Sequence, residues 1–190
     1  MWGLEPQLSV VRERMKLLLA SHGNDLTAHE HIAQEDELLM EQGAVAERIH
    51  LLMEGTVAVQ LRQGDNRTHT LAIVEAEEIL GEMGLFGNGV HSADVRVVNG
   101  PAKLVVVDGN EMLQAMLFDA DLTIEILALI CHRCLKSNQI MGLLLDGISA
   151  VQAGDQAQLK RSCQSLREYS HSMALAADHL ESLGSQKYTR

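Results

Sequence analysis

The sequence predicts a mainly β fold with flanking helices, an α+β architecture, and three observations support this prediction. From Leu26 to Val107, short apolar runs alternate with turn signals such as Gln63-Gly64-Asp65-Asn66, mostly about eight to twelve residues apart. Many short strands at regular spacing indicate a sandwich or a barrel and not a parallel sheet. Before and after this region, apolar residues recur at the three- and four-residue spacing of amphipathic helices.

The charge composition argues against a nucleic-acid partner. The chain holds 15 basic and 26 acidic residues, and residues 1–146 alone hold 10 basic and 22 acidic residues. A body this acidic repels the phosphate backbone of nucleic acids. Aromatic residues make up only 3% of the chain, so stacking platforms for single strands are also missing.

Three further features predict a cytoplasmic protein without membrane insertion. No apolar run approaches the length of a membrane-spanning helix. The N-terminus, Met1 to Pro6, lacks the basic-then-apolar pattern of an export signal. Three cysteines, an odd number, argue against a disulfide framework and fit a reducing compartment.

Residues 1–25 contain the first predicted element, a helix over Leu4–Ala20 that Gly23 ends. Residues 26–120 follow as the β domain. Its predicted strands are Ile49–Met53, Thr56–Leu61, Thr70–Val74, Val95–Val98 and Leu104–Val107.

Helices are predicted for the rest of the chain. Asp108-Gly109-Asn110-Glu111 is a capping-box pattern that opens a short helix. A long helix then occupies residues 121–146, and Asp146-Gly147 ends it. Residues 147–190 form a helical tail, predicted as one further helix.

The long helix carries a repeat that predicts a contact with a second helix. Six of its residues alternate steps of three and four, as the seam of a coiled coil does. They are Leu127, Ile130, Cys134, Ser137, Met141 and Leu144. We therefore expect a homodimer built on this helix. The tail either adds to the dimer contact or binds a protein partner.

The stretch from Leu80 to Val95 is the most unusual in the chain, because it holds four glycines within nine residues. It also carries one acid, Glu82, and a small polar pair, Ser92-Ala93. A loop this rich in glycine turns sharply, and its unpaired N–H groups can cradle a phosphate. No Gly-Lys-Ser/Thr follows, and no strand–Gly-x-Gly-x-x-Gly–helix order is present, so it is neither a Walker loop nor a dinucleotide fingerprint. A plain turn remains the alternative.

Three blocks of residues, in this order of elements, resemble the cyclic-nucleotide-binding domain of the catabolite activator protein (cyclic-AMP receptor) family. The resemblance runs from about Leu26 to Asp146. The first block, residues 38–43 and 49–59, is similar to the family's opening strands and glycine turns. The second, residues 81–86 and 91–96, is similar to its phosphate-binding cassette. The third, residues 122–145, is similar to its dimerisation helix.

The resemblance implies a jelly-roll-like barrel that encloses a cyclic nucleotide: cyclic AMP, cyclic GMP or cyclic di-GMP. Backbone N–H groups of the cassette and one arginine hold the cyclic phosphate in that family. Carried over by position, Glu82 accepts a hydrogen bond from the ribose 2′-hydroxyl, and Ser137 and Asn138 reach the base. The residues that would line the phosphate and the sugar are Gly81, Met83, Ser92 and Ala93.

Two departures from the family pattern leave the function open. His91 stands where the family has its arginine, and histidine is shorter and mostly neutral at pH 7. Either a bound phosphate charges His91, or the domain binds no nucleotide and survives as a scaffold. Residues 147–190 are also too few for a winged helix-turn-helix module, so the DNA-binding half of the resemblance does not transfer.

These observations predict a dimeric regulatory sensor that acts through protein partners and not through DNA. The alternative is an adaptor whose terminal helices bind other proteins. No catalytic residues are predicted, because no nucleophile elbow is present, and the chain is not expected to be an enzyme. No metal site is predicted either, since Cys131-His132-Arg133-Cys134 and the pair His29 and His31 lack further ligands.

Overall fold

A computed structural model describes residues 28–64 and 67–186, so the predicted helix within residues 1–25 lies outside the described residues. The α+β fold class is confirmed. The elements are β1 (His29–Ala33), β2 (Leu38–Met40), β3 (Arg48–Arg62), β4 (Thr68–Glu75), β5 (Glu78–Leu80), α1 (Glu82–Leu85), β6 (Asp94–Asp108), α2 (Gly109–Phe118), α3 (Ala120–Ala153), α4 (Gln156–Arg167) and α5 (His171–Gln186). Two compact units, residues 1–132 and 133–190, divide the chain.

The first unit is built on one antiparallel sheet in the order β1-β6-β3-β4, with β2 paired to β6 and β5 paired to β3. The larger of its two apolar cores, the inner core, consists of buried residues that all lie in these strands and none in a helix. Examples are Leu52, Val57, Leu80, Val97 and Leu104. A sheet that packs one face against itself must curl and close. The strands therefore form the predicted jelly-roll-like barrel.

Two strands are longer than the sequence predicts. The runs on either side of Gly55 join into β3, and those on either side of Asn99-Gly100 join into β6. The pairing of β3 with β6 shifts register on both sides of Glu54, as β-bulges do, so these turn signals bend strands and do not end them. Gly55 has φ +97°, and a Cβ there would lie 2.7 Å from the Cα of Ala102.

A second apolar cluster of the first unit covers the outer face of the barrel. Ile49 and Leu51 of β3 pack there with residues of the helices, including Met112 of α2 and Leu122 and Ile126 of α3. Apolar residues of β3 thus alternate between the two cores, as the period-2 geometry of a strand requires.

The helical tail differs from the prediction in two ways. Helix α3 continues through Asp146-Gly147 to Ala153, and Gly154, with φ +75°, ends it. Gly147 is a packing residue, because a Cβ there would lie 2.8 Å from Leu180 Cδ1. The tail also contains two helices, α4 and α5, which pack with the end of α3 around a core that includes Cys163 and Leu166.

The predicted seam on the long helix is partly wrong, because the fold itself buries some of it. Ile130 packs against the outer core of the first unit, and Leu144 packs against the core of the second unit. Leu127 and Met141 remain 53% and 54% exposed. The exposed face of α3 is therefore rotated away from Ile130 and Leu144.

Candidate functional site

The cassette begins with a glycine that no other residue can replace without strain. Gly81 has φ +94° and caps the short helix α1. A Cβ at this position would lie 2.8 Å from the carbonyl oxygen of Arg48 and 3.2 Å from Met40 Cε. The glycine thus lets the start of the cassette lie directly against β3.

The rest of the cassette is closed by backbone hydrogen bonds and tight packing. The N–H of Phe86 donates to the carbonyl of Glu82 at 2.9 Å, and the N–H of Gly89 donates to the carbonyl of Gly84 at 3.0 Å. A Cβ on Gly84 would lie 2.7 Å from Ala46 Cβ and 2.9 Å from the carbonyl oxygen of Val90. The glycines are therefore required by the close packing of the loop.

The returning limb of the cassette is tied to the residues before β3. The N–H of His91 donates to the carbonyl of Ala44 at 2.9 Å, and the His91 carbonyl accepts from Gly43 N–H at 2.8 Å. Ala46 N–H donates to the carbonyl of Gly89 at 2.9 Å. These bonds hold the backbone of Gly89 and His91 in place.

Six of the eight predicted site residues lie on these two limbs. Glu82 and Ala93 are 2% and 8% exposed, Met83 is 44% exposed, Ser92 is exposed and His91 is half-buried. The predicted base-contacting residues, Ser137 and Asn138, lie exposed on α3 in the second unit. Their role in contacting a base stays a prediction.

His91 differs chemically from the arginine that the resemblance implies. Partial burial lowers the pKa of its imidazole below the ordinary value. The side chain is therefore neutral at pH 7 in the free protein, whereas an arginine would carry a permanent charge. A phosphate bound beside His91 therefore has no positive charge to contact on this side chain until the imidazole takes up a proton.

His50 is a buried residue that the sequence interpretation did not single out. It lies on β3 directly opposite Leu80 of β5 and Val106 of β6. Residues directly opposite in antiparallel strands point to the same face, and both partners belong to the inner core of the barrel. His50 is only 9% exposed, so its ring lies inside the barrel wall. Its partner Leu80 immediately precedes Gly81, the first residue of the cassette. A histidine inside an otherwise apolar strand, Ile49-His50-Leu51-Leu52, was the signal that could have revealed it.

The ring of His50 is held neutral. Burial is the largest cause that lowers its pKa, followed by the basic side chains of His91, Arg48, His31 and His29, and together they lower the pKa to about 4. Its Nδ1 is buried without a hydrogen-bond partner among the described residues. A buried polar atom left unpaired costs roughly 1–3 kcal/mol.

We expect this histidine to make the fold sensitive to acid. The unfolded chain protonates His50 near its ordinary pKa of 6.5 and the folded chain only near 4, so stability is complete above pH 6.5 and is lost as the pH falls towards 4. The loss is about 3 kcal/mol from this group. Urea unfolding between pH 7 and pH 4 measures it: wild type should lose about that much more than His50→Gln. Equal losses in both proteins would contradict the prediction, and His69→Gln, at an exposed site on β4, should behave as wild type.

The comparisons with known proteins agree with this geometry. Residues 30–117 match the model of the family described as the cyclic nucleotide-binding domain. This match covers less than half of the chain, and the barrel and the cassette agree with it. No curated protein matches the chain.

Three solved structures share the fold. The catabolite activator protein of Thermus thermophilus has 17% identity and a TM-score of 0.60, over 96% of this chain and 81% of that protein. The N-terminal domain of a transcriptional regulator from Streptomyces coelicolor A3(2) has 23% identity and a TM-score of 0.51, over 68% and 85%. A cyclic nucleotide-binding domain from Methylobacillus flagellatus KT has 20% identity and a TM-score of 0.51, over 59% and 62%. Because each identity is below 25%, these likenesses establish the fold and nothing finer.

Two further observations bear on other functions. Among the described residues, no helix combines the length and the apolar character needed to cross a membrane. Within residues 28–64 and 67–186, no group of three or more histidine, cysteine or acidic side chains is arranged to hold a metal ion.

Proposed function

We propose that this chain is a cytoplasmic, non-enzymatic regulator whose barrel senses a cyclic nucleotide and whose helices pass the signal to a protein partner. The observation that carries the proposal is the cassette. Gly81 and Gly84 leave no room for a Cβ, and Glu82, the predicted ribose acceptor, is 98% buried at the start of α1. A loop kept this close to the barrel wall supports a ligand site better than a plain turn.

Calorimetry with cyclic AMP, cyclic GMP and cyclic di-GMP tests the proposal. Binding of any of the three, reduced in Glu82→Gln but not in a Gln variant of the exposed β4 residue His69, supports a sensor. No heat and no thermal shift at millimolar ligand would contradict it. The same ligands should also be tested at pH 6, where an imidazole takes up a proton more readily.

A scaffold that binds no nucleotide is the second candidate, and one observation favours it. His91 is neutral in the free protein, so the cassette lacks the permanent cation that the family uses for the phosphate. In this case the helices carry the function. Leu175 and Leu183 of α5 are 51% and 54% exposed and would belong to a surface for a protein partner.

A homodimer through α3 is part of the proposal, but on a seam that differs from the one read from the sequence. Within the second unit, five exposed residues of α3 follow steps of four, three, four and three, and we call them the exposed stripe. They are Cys134, Asn138, Met141, Leu145 and Ile148. Such a stripe matches the seam of a two-stranded coiled coil, in which a single asparagine at a core position sets register.

The residues that flank the exposed stripe favour a second copy of the chain as its occupant. In a coiled coil these flanking positions face the partner helix, and here none of them is charged. They are Leu135, Ser137, Gly142, Leu144, Ser149 and Val151, of which Leu144 and Val151 also pack against the core of the second unit. Two copies can therefore approach along the stripe without like-charge repulsion, although each chain carries a net charge of −11.

We expect no binding to DNA at physiological salt. The net charge of −11 repels phosphates, and the described residues that follow Asp108 are helical, without the β-hairpin of a winged helix. A gel shift with a duplex of mixed sequence measures this. A shifted band that disappears steeply as salt is raised from 50 to 200 mM would contradict the prediction, because that dependence marks contacts to phosphates.

A further inference from the structure

We infer that His50 is a second ligand contact, which works with His91 to hold the anionic group of the ligand in place of an arginine. The inference rests on the proposed function and assigns the barrel wall a role in recognising the phosphate. Four observations support it: the place of the ring, its unpaired nitrogen, the charges around it and the histidine that stands at position 91 where the family has an arginine.

The ring is placed beside the cassette by the pairing of the strands. His50 is opposite Leu80, the residue that immediately precedes Gly81. A Cβ on Gly81 would lie 2.8 Å from the carbonyl oxygen of Arg48, two residues before His50. The side chain of His91, on the other limb of the cassette, exerts the largest charge effect on the His50 ring. His50, which is opposite Leu80, and His91 thus lie at the two limbs of the cassette.

The unpaired Nδ1 of His50 is a hydrogen-bonding group that a ligand could pair. His50 is 91% buried, and its Nδ1 finds no partner among the described residues. Native proteins pair most buried polar atoms, so an orphaned one inside a barrel wall needs an explanation. An acceptor oxygen of a bound anion would pair it once the ring is protonated.

The surrounding charges select an anion. Arg48 lies two residues before His50, on the same face of β3. His29 and His31 of β1 also lie on this face of the sheet, because they are opposite Val106 and Leu104 of β6, which are in turn opposite His50 and Leu52. The groups that act on the charge of His50 are these three and His91, and all are basic. This is a local concentration of basic side chains in a chain of net charge −11.

Three acidic side chains lie near this face, and none of them is among the groups that shift the pKa of His50. Glu37 pairs with His31, whose Nε2 lies 2.7 Å from Glu37 Oε1. Glu78 is opposite Leu52, one row further along the sheet, and Glu82 begins α1. An incoming phosphodiester therefore meets basic groups on the barrel wall and on the cassette. Because both imidazoles are neutral in the free protein, binding takes up a proton and is tighter at lower pH.

The test compares His91→Arg with His91→Arg/His50→Gln, because an arginine at position 91 does not titrate and leaves His50 as the proton acceptor under test. The probe is cyclic AMP, with adenosine as the matched ligand that lacks the phosphate. Calorimetry in two buffers of different ionisation enthalpy, at pH 5.5, 6.5 and 7.5, gives both affinity and proton uptake. His91→Arg/His69→Gln serves as the control for loss of a histidine.

We expect His91→Arg to take up a proton on binding cyclic AMP and to lose affinity as the pH rises, by up to about tenfold per unit for one proton. The variant that also lacks His50 should take up none, should show a flat pH profile and should bind about tenfold more weakly at pH 5.5. The imidazole C2-proton signal of His50 should report a raised pKa in the complex, which a merely structural residue would not show. Urea unfolding at pH 7 checks that the Gln variant is folded.

Two results would overturn the inference in distinguishable ways. If cyclic AMP binds but adenosine binds equally well, or if proton uptake persists without His50, the nucleotide site stands and the role of His50 does not. If neither cyclic AMP, cyclic GMP nor cyclic di-GMP binds to wild type or to any variant at any of the three pH values, the proposed function fails and the inference fails with it.

Discussion

His91→Arg is expected to bind cyclic nucleotides about ten- to hundredfold more tightly than wild type at pH 7.5. The side chain of residue 91 lies on the returning limb of the cassette, whose backbone is fixed by hydrogen bonds to Gly43 and Ala44. Burial keeps the present imidazole neutral, whereas a guanidinium carries its charge at every pH and can contact two phosphate oxygens. A charge-assisted contact of this kind contributes about 1.5–3 kcal/mol.

Calorimetry with cyclic AMP and cyclic GMP measures this effect, and His69→Arg is the matched control. It adds the same charge at an exposed position of β4 in the same unit. Tighter binding in both variants would mean that only the net charge matters. Unchanged or weaker binding in His91→Arg would show that the cassette does not present residue 91 to the phosphate.

The second large effect is expected at the exposed stripe, where Met141→Glu with Leu145→Glu should convert a dimer into a monomer. Each residue of a parallel two-fold seam meets its own copy, so the change would bury four carboxylates beside one another. Burying unpaired charge costs several kcal/mol, and we expect the dimer to weaken by more than about a hundredfold. Light scattering at tens of micromolar measures it, against a monomer mass of 20.8 kDa.

Ala157→Glu with Gln164→Glu is the control, because it places the same two charges on exposed positions of α4. This control should remain dimeric. A wild-type chain that scatters as a monomer would remove the dimer from the proposal. A dimer that survives the changes at Met141 and Leu145 would have to use another surface of the chain.

The register of the seam shows why a helical repeat does not identify an interface. Leu127, Ile130, Met141 and Leu144 all fit one repeat in the sequence, yet Ile130 and Leu144 are used inside the two units while Leu127 and Met141 stay exposed. Spacing reports which residues share a face of a helix. Whether another part of the same chain covers that face depends on residues far away in sequence.

Glycines in the sequence mark positions of close backbone approach, but they do not by themselves show whether the chain turns there. The dense glycines of the cassette were assigned correctly to a tight loop, because Gly81 and Gly84 are required by close approach. Gly55, between two predicted strands, and Gly147, at the predicted end of the long helix, predict a turn and a helix end in the same way. They lie within a bulged strand and within a packed helix, since each accepts a neighbour at a distance that a side chain would forbid.

The sequence by itself determined the α+β class, the apolar runs that form β3, β4 and β6, and the glycine-rich loop, because these depend on local periodicity and on glycine, which act over a few residues. The tertiary structure alone decided that β3 and β6 each run through a turn signal, that α3 extends to Ala153 and that its exposed stripe lies on a different face. It also decided that His50 is buried and neutral inside the barrel wall. These properties depend on which distant strands and helices pack together, and that information is not contained in any short window of the chain.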